Sequence, residues 1–257
     1  MRKMLKITTF LTVSAATIMY VSLQTALGST VYVYGPGGPF PAMNAAAKTF
    51  NKQYGENVTV EAGPLNKWKT EAQNNADIIY SGSENMMTDF VSKMPDLIDE
   101  KTIYPAYIRP AAILVHPGNP LHINRFSDLL KPGISVMVVQ GAGQTGLWED
   151  IAGKNGNLQT IRKLRKNIVY YAPNSADALH YWESNKSPDA WIIYNIWQIS
   201  HPGSADIVPI GKRHIIYRDM DLSFTYKGEK NSAAMKFYHF LLGKDGKEIF
   251  KKYGWHG

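Results

Sequence analysis

Two hydrophobic patterns alternate along the first part of the chain. Short apolar runs rich in β-branched residues lie at residues 31–34, 57–61 and 77–80, which is typical of buried strands. Each run is followed by Gly, Pro or Ser and then by apolar residues at helical spacing. Helices are therefore predicted over 40–54, 67–75 and 84–94. Three repeats of strand, small-residue loop and helix predict a parallel sheet with helices on its faces.

The second part of the chain repeats the same alternation. A long apolar strand is predicted over 107–116, and further strands at 134–139, 168–171, 190–194 and 207–210. Helices are predicted over 146–153, 157–166 and 176–184, with Ser175 as the N-cap of the third, and another helix opens at Asn195. Residues 213–226 contain a returning strand, and 230–253 form an amphipathic terminal helix interrupted near Gly243. The whole pattern indicates an α/β fold.

The N-terminus follows a different pattern. Met1–Lys6 is basic, Ile7–Leu23 is apolar and uncharged, and Ala26-Leu-Gly28 places small residues before a cleavage point. This is the arrangement of a secretory signal peptide, predicted over 1–28; a retained transmembrane helix is the alternative. No later stretch is apolar enough to span a bilayer, so no membrane insertion is expected after cleavage.

Composition and charge narrow the function classes. The chain has 257 residues, of which 44% are hydrophobic, and this is enough for two lobes with their own cores. It has no cysteine, which excludes disulfides, thiolate metal sites and a cysteine nucleophile and suits an exported protein of the bacterial periplasm. Loss of the three basic signal residues lowers the net charge from +7 to +4. Because no basic run with interleaved aromatics is present, we expect an anionic ligand rather than nucleic acid.

A glycine loop, Gln140–Leu147, lies between a predicted strand and a predicted helix. This arrangement directs free backbone N–H groups and a positive helix end at one point, which favours anion binding. The glycines also match G-x-G-x-x-G, but the dinucleotide fingerprint needs an acid after the next strand, where the chain has Ala172-Pro-Asn-Ser. A small anion is therefore favoured over a dinucleotide.

Neutral hydrogen-bond donors follow several of the predicted strands. Lys67 could add a positive charge, although an isolated lysine is more often a surface residue, and Tyr194 could present its phenol or serve as a core tyrosine. We expect the carboxyl ends of the strands to gather these residues into one ligand site. The predicted ligand-binding residues are Gly37, Gly38, Lys67, Ser81, Gly82, Ser83, Thr145, Gly146, Ser175 and Tyr194.

Catalysis is the competing hypothesis. Ser81 and Ser83 lie on a strand-to-helix turn, as the nucleophile of a secreted hydrolase would. Gly-x-Ser-x-Gly is absent, and serines that begin a helix are most often caps. The seven histidines include no His-x-His or His-Glu-x-x-His pair. We therefore expect a binding protein without metal, cofactor or catalytic residue.

The order of elements resembles the type II periplasmic solute-binding proteins, in particular their molybdate/sulfate-binding branch. Ala76–Ser83 resembles that branch's strand and loop, Pro110–Pro120 its hinge strand, and Phe237–Trp255 its terminal helix. Within this branch, Tyr34–Pro39 and Ser81–Phe90 are similar to the accessory colonisation factor C (AcfC) group, as is Ala62-Gly-Pro-Leu-Asn-Lys-Trp68.

The resemblance implies an oxyanion held by donors from five loops. In this sequence they fall at Gly37–Gly38, Asn66–Lys67, Thr145–Gly146, Ser175–Ala176 and Tyr194. Two loops depart from the branch, because Gly-Gly and Lys67 stand near positions where it has serines. A buried lysine would favour a carboxylate or phosphate, such as 3-phosphoglycerate, citrate or an acidic amino acid. Molybdate or sulfate is the alternative ligand.

The resemblance also implies two lobes that close on the ligand by a hinge. Lobe 1 is expected over 29–110 plus 217–257 and lobe 2 over 111–216, each with a mainly parallel sheet. The chain would cross near 109–116 and 213–226, where Arg109 and Arg218 could reach the cleft floor. An ABC permease or a chemoreceptor is the expected partner. A homodimer is left open, and a ligand-loaded partner of a chemoreceptor or an adhesin is a third hypothesis.

Overall fold

The computed structural model describes residues 30–257, so the predicted signal peptide lies outside the described residues. The strands are β1 (Val31–Gly35), β2 (Val58–Ala62), β3 (Ile78–Tyr80), β4 (Tyr104–Val115), β5 (Val136–Val139), β6 (Ile168–Ala172), β7 (Ala190–Tyr194), β8 (Asp206–Val208) and β9 (Tyr217–Phe224). They form one sheet in the order β2-β1-β3-β9-β4-β7-β5-β6, and β8 also pairs with β4.

The helices flank this sheet. They are α1 (Phe40–Tyr54), α2 (Leu65–Asn75), α3 (Glu84–Lys93), α4 (Leu147–Gly153), α5 (Leu158–Asn167), α6 (Ser175–Ser184), α7 (Ile196–Ser200), α8 (Ser232–Leu242) and α9 (Lys244–Lys252). Short 3-10 turns cover Glu100–Thr102, Phe126–Leu130, Ala142–Gln144 and Gly228–Lys230. Within residues 30–257, no helix has the length and apolar character that crossing a bilayer requires.

β4 takes part in both halves of the sheet. Residues 104–110 pair antiparallel with β9, whereas residues 111–115 pair antiparallel with β7 and β8. The chain therefore passes from one half to the other in the middle of a strand, at Pro110. β9 returns the chain to the first half, where it pairs with β3 as well as β4. These two strands lie where the sequence predicts the crossings.

The strands that alternate with helices form the predicted parallel pairs. β1 is parallel to β2 and β3, and β5 is parallel to β6 and β7. The antiparallel pairs all involve β4 or β9, because these strands carry the chain between the halves and run against their neighbours. The sheet as a whole is therefore mixed.

Most predicted helices have the expected limits, and α1 matches residue for residue. One predicted cap is wrong: the N-cap of α6 is Asn174, whose side chain accepts from the Asp177 N–H, and Ser175 is the first helical residue. Asn174 is as good a cap as Ser175, so sequence alone could not rank the two neighbours. The terminal helix is divided at Gly243 into α8 and α9, close to the predicted interruption.

The last residues of the chain pack under the crossing strand. His256 forms an antiparallel bridge with Ile108 in β4. Trp255 is 1% exposed and belongs to the main core cluster, which extends through both halves of the sheet. The C-terminus thereby places an indole ring beside Arg109, at the point where β4 leaves the first half.

Candidate functional site

Loops from the carboxyl ends of four parallel strands meet at the junction of the two halves. The loop after β1 touches the loop after β3, since a Cβ on Gly82 would lie 3.5 Å from the Pro36 ring. The loop after β3 in turn meets the glycine loop after β5. A Cβ on Gly143 would lie 3.1 Å from both the Gly82 carbonyl oxygen and Ser83 Oγ. The two halves therefore approach each other closely at position 143, where any side chain would crowd the Gly82 carbonyl and Ser83 Oγ.

Arg109 lies at the centre of this junction. One Nη donates to the backbone carbonyls of Arg218 (3.1 Å) and Asp219 (2.7 Å), and the other donates to the Gly82 carbonyl at 2.5 Å. The guanidinium carbon lies 3.9 Å from the centre of the Tyr194 ring and 4.6 Å from that of Trp255. A single side chain of β4 thus contacts the β3 loop, the crossing strand β9, the end of β7 and the C-terminal Trp255.

The charge of Arg109 has no direct counterion within residues 30–257. No carboxylate oxygen of the described residues lies within 4 Å of its guanidinium, and its Nε donor is buried without a partner. The side chain is 2% exposed, and this burial lowers the pKa of Arg109 to about 10, so the group stays charged at neutral pH. A buried cation of this kind favours an anion nearby.

Tyr194 is buried at the end of β7, as the sequence predicts. Its hydroxyl donates to the Gly143 carbonyl at 2.9 Å. Burial is the main cause that raises the pKa of the Tyr194 phenol, so the hydroxyl keeps its proton at neutral pH. The residue therefore joins the glycine loop to the Arg109 side chain, and its donor is engaged by this protein rather than free.

The two candidate serines have different partners. Ser81 Oγ donates to Asp221 Oδ2 at 2.7 Å and accepts from the Asp221 N–H at 3.0 Å. Ser83 caps α3 by accepting from the Met86 N–H, which agrees with its interpretation as a cap. Among the described residues, neither hydroxyl is hydrogen-bonded to a histidine, and the acidic partner of Ser81 is Asp221.

The candidates from the second half lie around the glycine loop. Ser175 Oγ accepts from Gln144 Nε2 at 2.9 Å, which ties the start of α6 to the loop. Thr145 is exposed and Gly146 is half-buried immediately before α4.

Gly37, Gly38 and Lys67 lie on the first-half side. A Cβ on Gly38 would lie 3.6 Å from Ile196 Cδ1, so this loop also approaches the second half. Lys67 is exposed, and its side chain runs along Gly63, where a Cβ would meet Lys67 Cδ at 3.6 Å. The structure therefore brings nine of the ten predicted positions to contacting or adjacent segments of four loops and β7, and leaves Lys67 at the rim with a solvated ammonium group.

Sequence reasoning missed three acids that surround these loops. Asp219 Oδ1 accepts a hydrogen bond from the Glu84 N–H at 3.1 Å, and Asp221 Oδ2 accepts one from Ser81 Oγ. Asp150 in α4 pairs with Arg218 in β9 and so links the two halves. Asp219 and Asp221 stand two apart in β9, which places them on one face of a strand, and this spacing was the available signal.

Comparison with known proteins agrees with this architecture. A family model described as bacterial extracellular solute-binding protein matches residues 31–256. The structure of PEB3 from Campylobacter jejuni is similar over 88% of this chain and 99% of PEB3, with 34% sequence identity and a TM-score of 0.82. A structure of PEB3 with bound L-phospholactate has 34% identity to this chain, the same coverage and a TM-score of 0.83.

More distant structures share the fold. The substrate-binding domain of a putative molybdenum ABC transporter from Clostridium difficile has 16% identity and a TM-score of 0.68 over 88% of this chain and 98% of that one. The sulfate-binding protein SubI from Mycobacterium tuberculosis has 17% identity and a TM-score of 0.72 over 88% and 86%. No match is found among curated proteins. The predicted two-lobed α/β fold of periplasmic binding proteins is confirmed.

Proposed function

Because the chain belongs to the bacterial extracellular solute-binding proteins, we propose that it captures a small organic or phosphorylated acid between its two lobes. The observation that carries this proposal is the buried guanidinium of Arg109. It lies between loops of both lobes, remains charged, and has no carboxylate within ion-pair distance among residues 30–257. An anion in the cleft would form the direct ion pair that this guanidinium lacks.

The related PEB3 supports an acid as the ligand. PEB3 has been seen with bound L-phospholactate, which combines a carboxylate with a phosphate, and it is 34% identical to this chain. We propose the same chemical class here, with 3-phosphoglycerate, citrate and acidic amino acids as the candidates to test. The molybdenum and sulfate relatives are 16–17% identical, and their likeness supports the fold alone.

We propose that binding occurs by hinge closure. Lobe 1 would comprise residues 29–110 and 217–257 and lobe 2 residues 111–216, joined by β4 and by the segment that leads into β9. The contacts of Gly143 with Gly82 and Ser83, and the Arg218–Asp150 pair, join the two lobes and belong to the closed form. An acid that touches both lobes would favour this form, because those contacts are available only when the cleft is shut.

We propose that the protein works in the periplasm, after cleavage of residues 1–28, and delivers its solute to an ABC permease or a chemoreceptor. The extracellular solute-binding description of the family supports export and a partner that receives the solute. A homodimer and an adhesin role stay predictions, to be examined by mass measurement in solution and by cell-binding assays.

The proposed function is tested by thermal-shift titration of the purified mature chain with phospholactate, 3-phosphoglycerate, citrate, aspartate, phosphate, sulfate and molybdate. A ligand present at a hundred times its dissociation constant stabilises the native state by about 2.7 kcal/mol. Native mass spectrometry beforehand would detect a co-purified solute. We expect stabilisation by at least one carboxylic or phosphorylated acid.

Other outcomes have definite meanings. Stabilisation by molybdate or sulfate alone would transfer the proposal to the oxyanion alternative. No stabilisation by any anion would contradict the anion site and favour the hydrolase hypothesis. That hypothesis would require ester hydrolysis that Ser81→Ala abolishes.

Replacing Gly143 is expected to impair closure. In Gly143→Val the new side chain would collide with the Gly82 carbonyl and Ser83 Oγ, because even a Cβ lies 3.1 Å from both atoms. We expect about a tenfold or greater loss of affinity for the acid, with little change in the urea midpoint of the ligand-free protein. Small-angle scattering should show a smaller ligand-induced compaction than in the wild type. Unchanged affinity would mean that this contact is not part of the bound form.

Removal of Lys67 is expected to have only a modest effect. Its ammonium group is solvated at the rim, and an exposed ion pair contributes about 0.2–1 kcal/mol, so Lys67→Ala should weaken acid binding by up to about fivefold. The loss should shrink as salt concentration rises, because salt screens exposed charges. A loss of a hundredfold by isothermal titration would show instead that Lys67 becomes buried against the ligand on closure.

A further inference from the structure

We propose that Glu84, Asp219 and Asp221 form a binding site for Ca²⁺ beneath the loop that carries Ser81 and Gly82. Each of these residues offers a carboxylate oxygen, and the three oxygens lie within 4.8 Å of one another. Glu84 is the first residue of α3, and the two aspartates stand on one face of β9. The Glu84 N–H donates to Asp219 Oδ1, which fixes the two elements side by side.

Asp221 gives the strongest indication of a missing partner. Its side chain is fully buried, and although Oδ2 accepts from Ser81, Oδ1 is buried without any hydrogen-bond partner among residues 30–257. Its carboxyl group lies beside that of Asp219. A buried carboxylate with an unsatisfied oxygen is costly unless a cation or a proton meets it.

The chemistry of the cluster suits a hard divalent cation. All three side chains supply oxygen, which Ca²⁺ prefers at 2.3–2.6 Å, so oxygens around one ion are separated by up to about 5 Å. The separations in this cluster fall within that limit. When ionised, the three carboxylates repel one another, and a divalent cation between them would offset two of their charges. The exposure of Glu84 would leave room for water to complete the coordination shell.

The cluster is connected to the cleft through the loop that carries Ser81 and Gly82. Asp221 Oδ2 accepts a hydrogen bond from Ser81 Oγ. The backbone carbonyls of Gly82 and Asp219 both accept hydrogen bonds from the Arg109 guanidinium. A cation here would fix the β3 loop to β9. Calcium binding can therefore be measured on the ligand-free protein, independently of whether the proposed acid binds.

The test is isothermal titration of the full mature chain, freed of metal with EDTA and dialysed, with CaCl₂. We expect one site with a dissociation constant of about 0.1–1 mM, as in other extracellular calcium modules. Glu84→Gln and Asp219→Asn each remove one ligand charge from a partly exposed position and should weaken binding at least tenfold. Asp96→Asn is the matched control, because Asp96 is exposed and lies outside the cluster.

Two results would overturn the proposal. One is that a folded protein, as judged by circular dichroism, gives no heat of calcium binding up to about 10 mM CaCl₂. This concentration is well above the dissociation constants of extracellular calcium sites. The other is calcium binding that Glu84→Gln and Asp219→Asn leave unchanged, or that Asp96→Asn weakens equally, since binding would then be unspecific surface attraction. Loss in the two cluster variants with retention in the control supports the site.

Discussion

Arg109→Met is expected to weaken acid binding by about 30-fold or more. The substitution removes the buried charge that would face the ligand, and loss of one member of a desolvated charge pair costs about 2–5 kcal/mol. A cost of about 2 kcal/mol corresponds to roughly 30-fold in the dissociation constant. Met is close to Arg in length and fills the space between the Tyr194 and Trp255 rings. Isothermal titration with the acid identified in the ligand panel measures the effect.

Controls separate this loss from a loss of folding. Arg125→Met removes an arginine whose side chain is 77% exposed and should leave affinity unchanged. Urea unfolding of the ligand-free variant reports the effect of leaving three carbonyl acceptors without Arg109. If Arg109→Met does not fold, Arg109→Lys keeps the charge without the planar fork and should bind more weakly than wild type. Wild-type affinity in a folded Arg109→Met protein would contradict the proposed role.

Gly228→Ala is expected to lower the free energy of unfolding by about 3 kcal/mol or more. A Cβ at this position would lie 1.9 Å from the carbonyl oxygen of Asp77, an overlap that only a backbone shift can relieve. The same segment is fixed by Thr225, whose Oγ1 donates to the Ala76 carbonyl and accepts from the Gly228 N–H. A shift would therefore disturb the start of β3 as well.

Gly37→Ala is the matched control for stability. Its Cβ would have no neighbour within 4 Å, and its backbone is outside the left-handed region, so the unfolding free energy should change by less than about 0.5 kcal/mol. Chemical denaturation in urea gives both values. If both substitutions lower the free energy of unfolding by the same small amount, the backbone at Gly228 can shift at little cost.

The elements of this fold were largely predictable because hydrophobic periodicity is a local property. The stripe from Met43 to Tyr54 with Gly55 after it predicted α1 residue for residue, and the apolar run 190–194 predicted β7 in the same way. The capping residue of α6 was not predictable, because Asn174 and Ser175 are both good caps and the choice depends on how the loop from β6 turns. The signal peptide prediction lies outside the residues that the structure describes.

The candidate site was predictable as a region and not as a set of contacts. Gly82, Gly143 and Tyr194 lie at or just after the ends of predicted strands. The carboxyl ends of parallel strands meet at one edge of a sheet, so these residues could be assigned to one region. Nothing in the sequence showed that Tyr194 donates to Gly143 or that Arg109 is left without a counterion within residues 30–257. The expectation of a buried Lys67 would require its loop to fold over the ligand, and in this structure the residue is exposed.

The sequence by itself determined the α/β class and the alternation of strands with helices. Export and an anionic ligand are expectations from the sequence and stay predictions. These properties depend on local spacing, composition and charge. The tertiary structure decided which loops meet, because residues such as Arg109 and Asp219 are brought together by the pairing of β4 with β9 across 110 positions of chain. It also decided that the positive charge of the junction comes from a buried arginine on the crossing strand, since burial and pairing depend on packing from every side.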